Sequence, residues 1–161
     1  MSRFAVIGLL VSLALPTAAG AGAAIVVDRP VVPRLVQLQL ARKAPALAYT
    51  PTRMALGFRY TTWQKTLSAV QITFHNTSDR EIRFVVTRLR GMCRTGMEKS
   101  FQLAGNKVYW SHEGAEQRAW RCLSGPRGRH IRLVASSQEP PTRFADVGLG
   151  RVVASGKRIP A

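Results

Sequence analysis

Between positions 70 and 75 the chain alternates its chemistry residue by residue. Val70, Ile72 and Phe74 are apolar while Gln71, Thr73 and His75 are polar, and a period of two, the period of a β-strand, puts the three apolar side chains on one face. Asn76-Thr77-Ser78-Asp79 follows, a run whose short polar side chains bond to nearby backbone and favour turns. Residues 81–89 are again rich in β-branched and apolar types. The segment predicts two consecutive antiparallel strands joined by a short turn, with one face buried and the other polar.

The rest of the chain extends this pattern. Residues 56–62 predict a strand with Phe58 and Tyr60 on one face, and 98–103 with 107–110 predict a second hairpin turning at Ala104-Gly105-Asn106. Ile131, Leu133 and Ala135 mark another strand, ended by Pro140-Pro141, and 143–154 holds one or two more. In a lead-in punctuated by Pro30, Pro33, Pro45 and Pro51, Val36, Leu38 and Leu40 alternate as in a half-buried strand. Residues 111–121, rich in Glu, Gln, Ala and Arg, predict one short helix capped by Ser111, with Gly114 counting against it. About seven to nine short strands between turn signals predict an all-β fold, an antiparallel β-sandwich, with a small β-barrel as the alternative. A length of 161 residues suits one domain. The expected organisation is a signal peptide at 1–23, an extended lead-in with one strand at 24–50, a β domain with one disulfide at 51–154, and a frayed basic tail at 155–161.

The run from Val70 to Asp79 resembles the strand and Asn-rich turn of many immunoglobulin-like bacterial modules. That resemblance implies an immunoglobulin-like architecture for the sandwich. Two features depart from a true immunoglobulin domain, whose bridge joins two sheets across several intervening strands. Cys93 and Cys122 are close in sequence, and Trp120 stands where the tyrosine-corner Tyr would be. Their bridge is expected to tie a local unit.

The N-terminal residues read as an address. Arg3 supplies a positive start, positions 4–15 are uncharged and apolar, Pro16 interrupts them, and positions 17–24 are small. This is the order of a secretory signal peptide. Overlapping Ala19-Gly20-Ala21 and Ala21-Gly22-Ala23 patterns set the mature start at Gly22 or Ala24. An uncleaved N-terminal membrane anchor is the alternative, and either form carries the remainder out of the cytoplasm. The expected location is secreted, periplasmic or at the cell surface, where Cys93 and Cys122 form one disulfide.

Charge is the most informative functional feature. Lys and Arg total 24 against 8 Asp and Glu, a net charge of +16, and arginine predominates. Guanidinium forks suit phosphate and carboxylate. Arg118, Arg121, Arg127, Arg129 and Arg132 lie in 117–138, a stretch without an acidic residue, and are the anion-binding candidates. Arg83, Arg88, Arg90 and Arg94 form a second string beside Cys93. The expected partner is an anionic envelope polymer or lipid surface, or an acidic protein. Export and the lack of a recognition motif argue against specific nucleic acid binding. Alternation puts Val108 and Trp110 on one face and Tyr109 on the other. Tyr109 is the aromatic surface candidate, and Trp120 is expected to pack beside the bridge.

Motifs for catalysis and metal binding are incomplete. His112-Glu113-Gly114-Ala115-Glu116 begins like the zinc motif His-Glu-x-x-His but lacks the second histidine. No methionine follows Cys122 to complete a copper site. Neither a phosphate-binding Gly-rich loop nor a Gly-x-Ser-x-Gly elbow is present. The expectation is a basic, exported β module without metal or cofactor, with a binding or structural role at the envelope. The alternative is a small extracytoplasmic hydrolase using His112, Glu116 and His75, which requires those side chains to converge.

Overall fold

The computed structural model describes residues 31–91, 93, 99–124, 129–138 and 143–160, with 143–147 as backbone only. The signal segment, Pro140-Pro141, Arg94 and Arg127 lie outside them. The chain is mostly β. In order come α1 (Arg34–Lys43), β1 (Tyr49–Thr50), β2 (Arg59–Lys65), β3 (Ala69–His75), β4 (Glu81–Arg90) and β5 (Lys99–Leu103). After these follow β6 (Asn106–Glu113), β7 (Glu116–Ser124), β8 (Arg129–Ser137), α2 (Arg143–Ala154) and β9 (Lys157–Arg158). Seven strands form one antiparallel sheet in the order β2-β3-β4-β8-β7-β6-β5, and β1 pairs with β9 in a separate two-stranded sheet. The large sheet stays open, with β2 and β5 at its edges, so the barrel alternative does not apply. An immunoglobulin domain divides its strands between two facing sheets; here seven share one sheet.

Turn chemistry builds the hairpins. After β3, the Asn76 side-chain oxygen accepts the backbone N–H groups of Ser78 (3.0 Å) and Arg80 (2.9 Å), which closes the turn into β4. Ala104 and Gly105 both have positive φ, 49° and 76°, between paired Leu103 and Asn106. This is the two-residue turn whose twist matches flanking strands.

The period of two then sorts the side chains. Val70, Ile72, Phe74, Ile82, Phe84, Val86, Val108, Ala119, Leu133 and Ala135 are buried on one face. α2 crosses that face over β6, β7 and β8, and Leu40 of α1, Leu47, Met54 and Ile159 join the same core. The second layer thus combines the β1–β9 ribbon with the two helices. Gly150 lets α2 approach β5, since a Cβ there would lie 2.7 Å from Phe101 Cζ.

Four local expectations are corrected. Residues 35–40 form helix α1, not a strand. Leu, Gln, Arg and Lys are good helix formers, and Val36 and Leu40, one turn apart, pack inward while Leu35 and Leu38 stay exposed. Residues 111–121 form the β6–β7 hairpin, not a helix, because Gly114 at φ 60° turns the chain between paired Glu113 and Glu116. Residues 143–154 form α2, not strands. Leu149, Val152 and Val153 are buried at helical spacing, so packing overrides the low propensity of Gly148 and Gly150. The segment 155–161 is not frayed where it is described. Lys157 and Arg158 pair with β1, the Ile159 N–H donates to the Ala48 carbonyl (2.8 Å), and Ser155 receives Thr52 and Arg53.

Cys93 and Cys122 form a disulfide, joining the segment that leaves β4 to strand β7 of the same sheet. A disulfide points to an oxidising, extracytoplasmic environment. Among the described residues no helix is long and apolar enough to cross a membrane.

Two stability predictions follow from this packing. Gly150→Ala should destabilise the protein by about 1–3 kcal/mol through overpacking. Gly148→Ala, two residues away with open space around it, should instead stabilise by about 0.5–1 kcal/mol. Urea denaturation of both variants checks the opposite signs. Removing the bridge with Cys93→Ser and Cys122→Ser should cost about 3–4 kcal/mol on the chain-entropy argument for a loop of this length, read as a fall in the denaturation midpoint.

Candidate functional site

The helices cover one face of the sheet, and the opposite face carries the polar half of the alternation. Cross-strand register arranges that face in rows. His75 of β3 stands opposite Glu81 of β4. The next row runs Thr73, Arg83, Ser136, Arg118 and Ser111. After it come Gln71, Val85, Val134, Trp120 and Tyr109, and then Thr87, Arg132 and Cys122.

Two of these rows hold a network of ion pairs. Glu81 accepts from Arg83 and lies 3.3 Å from His75 Nε2, whose Nδ1 is 3.0 Å from the Thr61 hydroxyl. Thr61 is the extra residue where the β2–β3 register shifts. Arg118 donates to Glu116 at 2.5 Å and lies 3.4 Å from Glu113. The hydrogen bond from Arg118 holds the Glu116 carboxyl below its ordinary range, against a smaller opposing effect of burial.

The sheet is also electrically polar along its strands. Each carboxylate among the described side chains, Asp79, Glu81, Glu113 and Glu116, sits at the end of the sheet that carries the β3–β4 and β6–β7 turns. At the other end Arg90 stands directly opposite Arg129, both exposed, with exposed Arg88 two residues back along β4. Like charges directly opposite across two strands destabilise the pair, and among the described residues no carboxylate offsets these three.

The candidate arginines therefore separate. Arg118 and Arg132 lie on the open face, and Arg129 belongs to the basic end. Arg121 points to the helix side. It is 8% exposed and donates to the Asn106 side chain and the Gly156 carbonyl, so it is spent inside the fold. Burial lowers its pKa, partly offset by Tyr49. Tyr109 is half-buried and stacks on Trp120, centroids 6.0 Å apart, with Lys107 over its ring. Trp120 is buried, though on the open face.

The residues of the hydrolase alternative fall into three places. His75 belongs to the Glu81 network, Glu116 to Arg118, and His112 stands opposite Gln117 on the helix side, its ring 5.8 Å from Trp110. Among the described residues no three His, Cys, Asp or Glu side chains gather as a metal site needs. Sequence reasoning noted Arg88 and Arg90 but not their approach to Arg129, because the strand pairing that joins them is long-range. No protein-family model matches the chain, and no curated protein matches it significantly.

The Glu116 shift has a pH consequence. A carboxyl whose folded pKa is depressed contributes stability that is present above its unfolded pKa and lost as pH falls through the folded value. The stability difference between the parent and Glu116→Gln should be largest near neutrality, no more than about 1 kcal/mol for so exposed a pair, and should vanish in acid below the ordinary carboxylate range. Denaturation midpoints of both proteins across pH measure it.

Proposed function

We propose that this chain is an exported, non-catalytic basic module of the cell envelope that adsorbs to an anionic polymer or lipid surface through the basic end of its sheet. The observation that carries this reading is the exposed trio Arg88, Arg90 and Arg129, brought together by β4–β8 pairing without a carboxylate among the described residues. Opposed guanidinium groups repel each other, and a bound anion relieves that repulsion. The signal-like segment at 1–23 and the disulfide support an extracytoplasmic site of action. The immunoglobulin-like likeness rests on the Val70–Asp79 run alone and carries no part of this function.

Near an anionic surface each arginine contributes about 1 kcal/mol. Arg90→Ser with Arg129→Ser should therefore weaken binding to phosphatidylglycerol-containing vesicles or to polyphosphate by about 30-fold in dilute buffer. Parent binding should fall steeply as salt rises, because exposed charges are screened. The double variant should melt no lower than the parent, since it also removes a like-charge pair. Equal binding of parent and variant across the salt series would overturn the reading. Binding to neither probe, with salt-sensitive binding to an acidic protein, would move the partner to that class.

A further inference from the structure

The open face contains a feature separate from the basic end, whose Arg88, Arg90 and Arg129 follow the register of the helix side. A cavity of about 440 Å³ lies over the middle strands β4, β8, β7 and β6. That volume is in the range of small-molecule sites. Its apolar lining comes from Val85 and Val134, neighbours across β4 and β8. Trp120, opposite Val134 on β7, provides an aromatic wall. Around these stand the guanidinium groups of Arg118 and Arg132 and the hydroxyls of Thr87, Ser111 and Ser136, with no carboxylate in the lining.

The donors are unevenly used. Arg118 is held by Glu116 and Glu113 and so is fixed in place. Trp120 is only 7% exposed, yet its Nε1–H has no acceptor among the described residues. Arg132 Nε is likewise buried without one. Buried donors without partners are rare and unfavourable in a folded protein. Two of them belong to Trp120 and Arg132, diagonal neighbours in the register of β7 and β8, which line one cavity together with an apolar patch and the glutamate-paired Arg118.

We propose that this cavity binds a small amphiphilic anion. Its carboxylate or phosphate headgroup is received by Arg132 and the Trp120 indole N–H, and its apolar portion lies against Val85 and Val134. The headgroup supplies the acceptors that the two donors lack, and charge-assisted hydrogen bonds to a guanidinium are the stronger kind. A neutral molecule of the same shape would leave the Arg132 charge unmatched among the described residues.

The test uses the full chain with labelled tryptophan indoles and follows their N–H resonances by NMR. Sodium octanoate, octyl phosphate and octanol are titrated in turn, below their micellar range. Octanoate or octyl phosphate should shift the Trp120 signal while leaving Trp63 unmoved, and the tighter of the two identifies the headgroup. Octanol should bind at least about tenfold more weakly, the loss expected when a charge-assisted contact is missing. Arg132→Met should lose a similar factor, and Arg90→Ser with Arg129→Ser should change nothing, which separates this site from surface adsorption. Four outcomes would overturn the proposal: no Trp120 shift up to millimolar ligand, equal shifts with octanol, unchanged binding in Arg132→Met, or equal shifts at Trp63. The parent's contrast between octanoate and octanol decides the matter even if Arg132→Met fails to fold.

Discussion

Nine antiparallel residue pairs between β4 and β8, from Ile82 with Ser137 to Arg90 with Arg129, hold the two halves of the large sheet together. On one side β2, β3 and β4 form a meander of neighbours in sequence, and on the other β5 to β8 form a second. Pairing β4 with β8 sends β5 to the far edge, so the chain leaving β4 must travel past three strands before it can re-enter the sheet. The disulfide stands on that route, fixing Cys93 to β7. A cross-link at this crossing closes a separation of 29 residues and so removes freedom from the unfolded chain.

The same pairing explains why burial is one-sided. Phe84 meets Ile72 on one flank and Ala135 on the other, and Ala135 meets Ala119, so a continuous apolar strip crosses four strands. α2 covers it, and the small side chains of Ala119 and Ala135 leave room beneath the helix. Arg121 is the polar exception on that face. A buried guanidinium is tolerable when most of its N–H groups find acceptors, and here Nη1 reaches Asn106 after the β5–β6 turn and Nη2 the Gly156 carbonyl after α2, while Nε has no partner among the described residues. One arginine thereby fastens the helix and the C-terminal ribbon to the sheet.

Left uncovered, the opposite face gathers its ion pairs at one end because of strand direction. β4 and β7 both begin with glutamate at the same end, and each meets an arginine two residues along, which neutralises that end locally. At the other end the exposed Arg88, Arg90 and Arg129 follow the helix-side register of Phe84, Val86 and Leu133 and stand without such partners among the described residues. Between the two ends lie Val85, Val134, Trp120 and Tyr109, a strip apolar enough to pack and polar enough at Trp120 Nε1 to require an acceptor.

Local chemistry was legible in the sequence. The alternation of Val70, Ile72 and Phe74, the Asn76 turn, the Ala104-Gly105 hairpin and the opposite facing of Val108 and Tyr109 all depend on neighbours within a few residues, and each is found. The cysteine pair was legible from parity. Misreadings fell where local preference is weak or two periods compete. Val36, Leu38 and Leu40 fit a strand by alternation and a helix by composition, and Val152-Val153 reads as β until Leu149 is packed with it against the sheet. Tertiary structure alone decided which strands pair, and with that Arg121's burial, the opposition of Arg90 to Arg129, and the meeting of Arg118, Arg132 and Trp120 around one cavity. The reason is physical: periodicity assigns a side chain to a face, whereas its neighbour on that face is set by hydrogen bonding between segments far apart in sequence.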